Sequence, residues 1–266
     1  MNRVSSAPLP GTQIDPRYPD SDGRPMGDTE FHDAALTWLC EALKGYFADV
    51  PDVYIARNLV MYYKEGDPKS RRDPDVLVAK GVGKHRRRAF RVWEEGVVPC
   101  TLFEVVSRDT WRVDMNKKPA EYAGIGVKEY FLFDPEGKYL DSALQGFRTV
   151  KGKPVPMKPA ADGSLVSKQL GLRFVAEGGM LRLIDVETGE PVPTKDERTE
   201  QERQLKEQER QLREQADQRA AQADQRAAQE RQLREQERQL RERAEQRAAE
   251  LEAELRRLRQ SRGNHG

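Results

Sequence analysis

The chain has 266 residues and a formal net charge of +1, from 46 Lys and Arg against 45 Asp and Glu. This balance excludes a strong overall field that would by itself attract nucleic acid or an anionic membrane surface. No run of apolar residues is long enough to cross a bilayer, so no membrane partner is expected. Two cysteines and a first segment without the apolar core of a signal peptide predict reduced thiols and a cytoplasmic protein.

The chain begins with a Pro-, Asp-, Ser- and Gly-rich segment, residues 1–26, which predicts a flexible arm. The next segment, DTEFHDAALTWLCEALKGYF, has apolar residues at helical spacing. Asp28 or Thr29 can cap this helix, and His32 near its start is interpreted as a capping or surface residue. Cys40 falls on the apolar side, which favours a buried, inert thiol.

Strand signals follow the first helix. VYIAR, LVMYY, DVLVAK, TLFEVV and VKEYFLFDP are typical of strands, and WRVDMNKKPAEYAGIG is typical of a helix between the last two. A strand, a helix and a strand in close succession predict a crossover unit and therefore an α/β core. Short β runs over 134–186 indicate antiparallel additions to the sheet, so one domain is expected over 27–190.

The remainder of the chain differs in kind. Residues 191–200 contain Pro and charges, follow Gly189 closely, and predict a linker. Residues 201–262 repeat every seven residues, as in QERQLKE and QADQRAA, which predicts a long helix. Because the heptads carry few leucines, a single solvated helix and a self-associating coiled coil both remain open, and the second would give a homodimer.

Glu104 interrupts the apolar run TLFEVV. Alternation places it on one strand face with Leu102 and Val106, and Val105 on the other. If helices cover both faces, an isolated carboxylate there is costly, so Glu104 needs a metal ion or a lysine as partner.

Two further elements can meet Glu104. Asp75 opens a strand directly after Pro74, and if that strand neighbours TLFEVV, two carboxylates converge at one end of the sheet. Such a pair repels unless a divalent cation joins them, and hard oxygen ligands suit Mg²⁺. In the following helix, Asp114, Lys118 and Tyr122 are spaced i, i+4, i+8 and would share a face. Pro119 restricts the regular helix to a start near Asn116, so Lys118 could point back at the carboxylates.

The motifs PDVLV, LFEVVS, D-x-x-x-K-x-x-x-Y and GVKEYFLFDP, in this order, resemble the Uma-type restriction endonuclease family, a branch of the PD-(D/E)xK nuclease superfamily. The resemblance covers roughly residues 27–190 and implies a restriction-endonuclease-like mixed sheet flanked by helices. It also implies hydrolysis of DNA phosphodiester bonds with Mg²⁺, or Mn²⁺, as cofactor. The superfamily signature places a lysine two residues after the acid, where this chain has Val106, and the family moves that lysine to the next helix.

The resemblance assigns roles to named residues. Asp75 and Glu104 would bind the metal together with the Val105 carbonyl, and Lys118 would act on the attacking water or the phosphate. Tyr122 and Asp114 would support this helix. Glu30, on the first helix, matches a position that completes such sites in some relatives.

Other interpretations remain open. Glu104 and Lys118 can form a structural ion pair without a metal, and the chain can be a non-catalytic interaction or DNA-binding protein with a scaffold tail. The basic cluster of residues 84–91, KHRRRAFR, can contact phosphates or can be a solvated loop balanced by Glu94 and Glu95. Its candidate contacts are Lys84, Arg86, Arg87 and Arg88.

Overall fold

The computed structural model describes residues 9–12, 15–19 and 29–263, with side chains up to residue 253. The helices in these ranges are α1 (Glu30–Tyr46), α2 (Val92–Glu95), α3 (Trp111–Asn116), α4 (Lys118–Ile125) and α5 (Lys195–Gly263). The strands of the first half are β1 (Val53–Arg57), β2 (Met61–Tyr62), β3 (Arg71–Arg72), β4 (Val76–Lys80), β5 (Phe90–Arg91) and β6 (Thr101–Val105). Those of the second half are β7 (Glu129–Phe133), β8 (Leu144–Val150), β9 (Lys153–Pro156), β10 (Leu165–Ser167), β11 (Leu172–Glu177) and β12 (Met180–Asp185).

A six-stranded mixed sheet forms the centre, in the order β1-β4-β6-β7-β8-β9. β6 and β7 are parallel and are joined through α3 and α4, while the other neighbours are antiparallel. The predicted crossover unit and α/β fold class are therefore confirmed. β10, β11 and β12 form a separate antiparallel sheet, and β3-β2-β5 form a third small sheet.

Strands β1, β4, β6 and β7 of the central sheet are buried on both faces, as their apolar sequences predict. One face packs with α1 and the β10-β11-β12 sheet, and its side chains include Val76, Phe103 and Val105. The other face includes Leu77 and Leu102 and packs against side chains of α3 and α4. The alternation within β6 thus directs Glu104 towards α3 and α4. Both Cys40 and Cys100 are buried free thiols, and burial raises the pKa of each.

The described part of the N-terminal segment packs on the domain. Tyr18 is buried, with its ring 5.1 Å from that of Tyr62 and 5.2 Å from that of Trp93. The Gly11 amide donates to Glu94 Oε2 at 2.8 Å. These residues therefore contact the domain through a buried aromatic ring, which the polar composition of the segment did not indicate. The rest of the predicted flexible arm, 1–26, lies outside the described residues.

The C-terminal helix begins earlier than the composition indicates. Thr194 and Glu197 form a capping box, in which the Thr194 amide donates to Glu197 Oε2 at 2.7 Å and the Glu197 amide to Thr194 Oγ1 at 3.0 Å. α5 therefore starts at Lys195, inside the segment 191–200 that was predicted to be a linker.

The chain divides into two compact units, residues 1–199 and 200–266. In the second unit the heptad leucines are exposed, for example Leu212 at 66% and Leu240 at 64%. Glu and Arg pair at helical spacing, as in Arg210 with Glu207 at 2.9 Å. Each such pair stabilises a solvated helix by about 0.3 kcal/mol. None of the helices in the described ranges has the length and apolar character needed to span a membrane.

Candidate active site

Glu104 is the buried carboxylate of β6, with 3% of its surface exposed. It lies on the strand face that also carries Leu102, and Val106 continues this face directly after the strand. Its side chain is surrounded by hydrogen-bonding groups from α3 and α4 instead of water. Three side chains of these helices accompany the carboxylate, as the sequence requires: Asp114, Lys118 and Tyr122.

Lys118 is the first partner of Glu104. Its Nζ lies 2.8 Å from Glu104 Oε1 and 2.7 Å from Asp114 Oδ1, so the ammonium bridges two buried carboxylates. Lys118 is the first residue of α4, and Pro119 follows at a position where the missing N–H costs no helical hydrogen bond. α3 ends at Asn116 and α4 begins at Lys118, two residues after the expected start near Asn116. The lysine nevertheless points at the carboxylates.

Two tyrosines complete this layer. The Tyr122 hydroxyl donates to Glu104 Oε1 at 2.7 Å, and the Tyr130 hydroxyl donates to the Asp114 carbonyl at 3.1 Å. Their rings meet edge to face with centroids 5.0 Å apart. Tyr130 was not identified from the sequence, although its alternation with Leu132 along β7 places it on the same face as Glu104.

Asp75 lies on the neighbouring strand, directly before β4. The antiparallel register pairs Val76 with Phe103, which places Asp75 beside Glu104 at the end of the sheet. The Val105 amide donates to Asp75 Oδ2 at 2.7 Å and fixes the orientation of the carboxylate. Asp75 Oδ2 also lies 3.5 Å from His32 Nε2 of α1.

His32 therefore differs from its interpretation as a capping or surface residue. It is buried, with 5% of its surface exposed, and the cap is Thr29, whose Oγ1 accepts from the His32 amide at 3.3 Å. Its spacing from the core residues Ala35, Leu36 and Leu39 carried the signal, because it shares their side of the helix. Glu30, the predicted acid of α1, is exposed, and His32 is the α1 side chain that approaches Asp75.

The electrostatics of the cluster are dominated by burial. The pKa of Glu104 is raised to about 8, chiefly by burial and also by the negative charges of Asp75 and Asp114, against the opposing effect of Lys118. Burial alone would lower the pKa of Lys118, but the charges of Glu104 and Asp114 outweigh it and raise that pKa. Burial, followed by the charge of Glu104, also raises the pKa of Tyr122 well above its usual range. One ammonium thus compensates three neighbouring carboxylates incompletely.

This incomplete compensation of negative charge is an environment that a bound cation would balance. Asp114 Oδ2 is buried and accepts no hydrogen bond from any described residue, while Oδ1 pairs only with Lys118. No three His, Cys, Asp or Glu side chains in the described ranges converge as a ready-made metal site. Hard oxygen donors such as the carboxylates of Asp75 and Glu104 are of the type that Mg²⁺ prefers.

The basic cluster of residues 84–91 contains both buried and exposed side chains. The Arg87 side chain is completely buried, pairs with Glu95 at 2.6 Å and lies 4.0 Å from the centre of the Tyr54 ring. Lys84 Nζ donates to the carbonyls of Phe47 and Ala48 at 2.6 and 2.8 Å at the end of α1. The phosphate interpretation of Arg87 is therefore wrong, because its guanidinium has no access to a ligand. Arg86 and Arg88 are exposed.

Residues 8–177 match the family described as "Uma2: Putative restriction endonuclease". The chain belongs to the Uma2 family. This match confirms the resemblance found in PDVLV, LFEVVS and GVKEYFLFDP, and membership of Uma2 supports a nuclease function. The Uma2 match ends at Glu177, the last residue of β11, so α5 lies outside it.

A solved structure, described as a putative nuclease belonging to DUF820 from Anabaena variabilis, is similar to this Uma2 chain with a TM-score of 0.42 and 14% identity. The similarity covers 55% of this chain and 76% of that one. A comparison with curated proteins gives no match.

Proposed function

We propose that this chain is a Mg²⁺-dependent endonuclease that hydrolyses DNA phosphodiester bonds. The observation that supports the proposal is the cluster of Asp75, Glu104, Asp114 and Lys118 at one end of the central sheet, which combines buried carboxylates with one ammonium. A DNA substrate follows from the restriction endonuclease description of the family.

Asp75 and Glu104 would hold the metal ion, with the Val105 carbonyl as a third ligand. When bound, Mg²⁺ would supply Lewis acidity and a water of lowered pKa, and Mn²⁺ accepts the same oxygen donors. A divalent charge at this position would also favour the ionised form of Glu104, which burial alone disfavours.

The side chains around these ligands have separate tasks. Lys118 carries a permanent positive charge next to Glu104 and would stabilise the charge that grows on the phosphate as water attacks phosphorus and the P–O bond breaks. Asp114 holds Lys118 in place, and Tyr122 fixes the orientation of Glu104 through its hydroxyl. The Val105 amide and His32 hold Asp75.

Plasmid nicking tests the proposal. We expect the wild-type chain to nick supercoiled DNA with Mg²⁺ and to lose this activity with EDTA. We expect Glu104→Ala to be inactive and Lys118→Ala to nick far more slowly than the wild type with Mg²⁺. Equal cleavage by all forms would identify a contaminating nuclease and remove the support for the site.

The alternative is a non-catalytic DNA-binding or interaction protein with the same fold. The ion pair between Lys118 and Glu104 at 2.8 Å favours it, because a buried carboxylate can be retained as a structural pair without a metal. Retained DNA binding without nicking, across DNA of varied sequence and with either Mg²⁺ or Mn²⁺, would support this alternative.

A further inference from the structure

Arg72 lies next to the candidate active site but outside the cluster described above. It is the second residue of β3, and the chain reaches Asp75 three residues later. Its Nε donates to Glu121 Oε2 at 2.9 Å, and its Nη2 lies 2.8 Å from Glu121 Oε1. Glu121 is on α4, one helical turn after Lys118. The guanidinium is thereby held between the elements that carry Asp75 and Lys118.

The geometry of this pair suits a phosphate as well as a carboxylate. Two parallel N–H groups of one guanidinium donate to two oxygens of one anion, and phosphate oxygens offer the same two-point arrangement. Arg72 and Glu121 are 28% and 37% exposed, so an incoming ligand can reach both, in contrast to the buried Arg87. A pair this exposed contributes little to folding, and its stabilising effect alone is a weak explanation for the arrangement.

We propose that Arg72 is a phosphate-binding subsite, which takes a backbone phosphate of the nucleic acid beside the scissile bond. Glu121 is the internal anion that holds the guanidinium in this orientation when no nucleic acid is bound. This inference rests on the proposed function, because it assumes that a nucleic acid strand enters the same site. Arg72 would also supply a cationic contact close to the carboxylates. Arg87 of the basic cluster, residues 84–91, cannot do so because its side chain is buried.

The experiment measures binding of a fluorescently labelled DNA duplex to the full chain in EDTA, between about 50 and 200 mM salt. The decisive variant is the double substitution Arg72→Ala/Glu121→Gln, which removes the pair without changing the net charge. We expect its affinity to fall about tenfold, and the slope of log affinity against log salt to decrease in magnitude by about 0.9, the value for one lost phosphate contact. Glu121→Gln alone should bind more tightly than wild type, because the competing anion is gone.

The matched control is Arg173→Ala/Asp162→Asn, which removes a comparable exposed pair between Arg173 of β11 and Asp162, with 3.1 Å between Arg173 Nη1 and Asp162 Oδ2. It should leave affinity and slope unchanged. If the alanine variant does not unfold cooperatively, Arg72→Lys replaces it as the test. Lysine keeps the positive charge but cannot donate two parallel hydrogen bonds to one anion, so we expect a several-fold loss of affinity with an unchanged salt slope.

Wild-type affinity and slope in the double variant would overturn the inference while leaving the proposed function intact. This holds even if Arg72→Ala alone bound DNA weakly, because that loss of affinity would then come from the uncompensated charge of Glu121. Wild-type affinity in Arg72→Lys would overturn it as well. A wild-type chain that does not bind the duplex at all would overturn both the subsite and the proposed DNA substrate.

Discussion

Lys118 Nζ lies 2.8 Å from Glu104 Oε1, although the lysine is on a helix and the glutamate on a strand. The position two residues after Glu104 is Val106, which packs in the apolar core. A lysine supplied from α4 can therefore reach the same carboxylate without occupying a core position of the strand. The proposed catalytic ammonium depends on where α4 begins, and Pro119 helps to set that start.

The first prediction concerns this ammonium. Lys118→Ala should lower the Mg²⁺-dependent cleavage rate by a factor on the order of 10²–10³, because one group that stabilises developing charge is lost. Measurement of kcat and KM on a plasmid substrate checks it. Lys117→Ala is the matched control, since Lys117 is adjacent in sequence but exposed, and its kcat should remain that of the wild type. Equal kcat values for both variants would contradict the proposed role of Lys118.

The second prediction is a pH dependence of stability. In the folded protein the pKa of Glu104 is raised from its ordinary value of 4.5 to about 8. The folded state therefore binds this proton more tightly than the unfolded state, so the stabilisation is present below pH 4.5 and is lost as the pH rises towards 8. The contribution of Glu104 to the free energy of unfolding should fall across this window by at most about 1.4 kcal/mol per pH unit.

Chemical denaturation of the wild type and of Glu104→Gln, in EDTA at several pH values, measures this contribution. Glutamine cannot ionise, so the difference between the two proteins isolates the titration of Glu104. The variant should gain stability relative to wild type as the pH rises, and saturating Mg²⁺ should reduce that gain. A difference that is independent of pH would show that Glu104 is ionised throughout.

The third prediction separates orientation of Glu104 from simple packing. Tyr122→Phe removes the hydroxyl that donates to Glu104 Oε1 and should cost about 1 kcal/mol of stability and several-fold in kcat. Tyr62→Phe is the control, because its hydroxyl is also part of a tertiary hydrogen bond, to the Pro19 carbonyl at 2.6 Å. Tyr62→Phe should lose similar stability but no kcat, and a parallel loss of kcat in both would contradict the orienting role of Tyr122.

The particular residues show why the sequence predicts some parts of the site and not others. Glu104 was identifiable because a carboxylate within a buried strand needs compensation, and spacing placed Asp114, Lys118 and Tyr122 on a common face. Arg87 was misinterpreted because its burial depends on the ring of Tyr54 and the carboxylate of Glu95, which are brought together only by the fold. The approach of His32 to Asp75 likewise depends on the packing of α1 across the sheet.

The fourth prediction concerns the heptads of α5. We propose that this helix joins two copies of the chain, because Leu205, Leu212, Leu233 and Leu240 recur at multiples of seven residues and are exposed. Sedimentation of the full chain should show a dimer, and Leu→Asn substitution at these positions should shift it to a monomer. The control replaces the preceding glutamines, Gln204, Gln211, Gln232 and Gln239, by asparagine and should leave the dimer intact. A monomeric wild type would contradict the proposal.

The proposed metal site has a direct test in a crystal of the full chain soaked with Mn²⁺, with anomalous difference density measured at the cluster. Asp75 and Glu104, with the Val105 carbonyl, should surround a peak, and Asp75→Asn should abolish it. Absence of a peak at saturating Mn²⁺, with Lys118 still bridging Glu104 and Asp114, would contradict metal-assisted hydrolysis and leave the cluster as a structural ion pair.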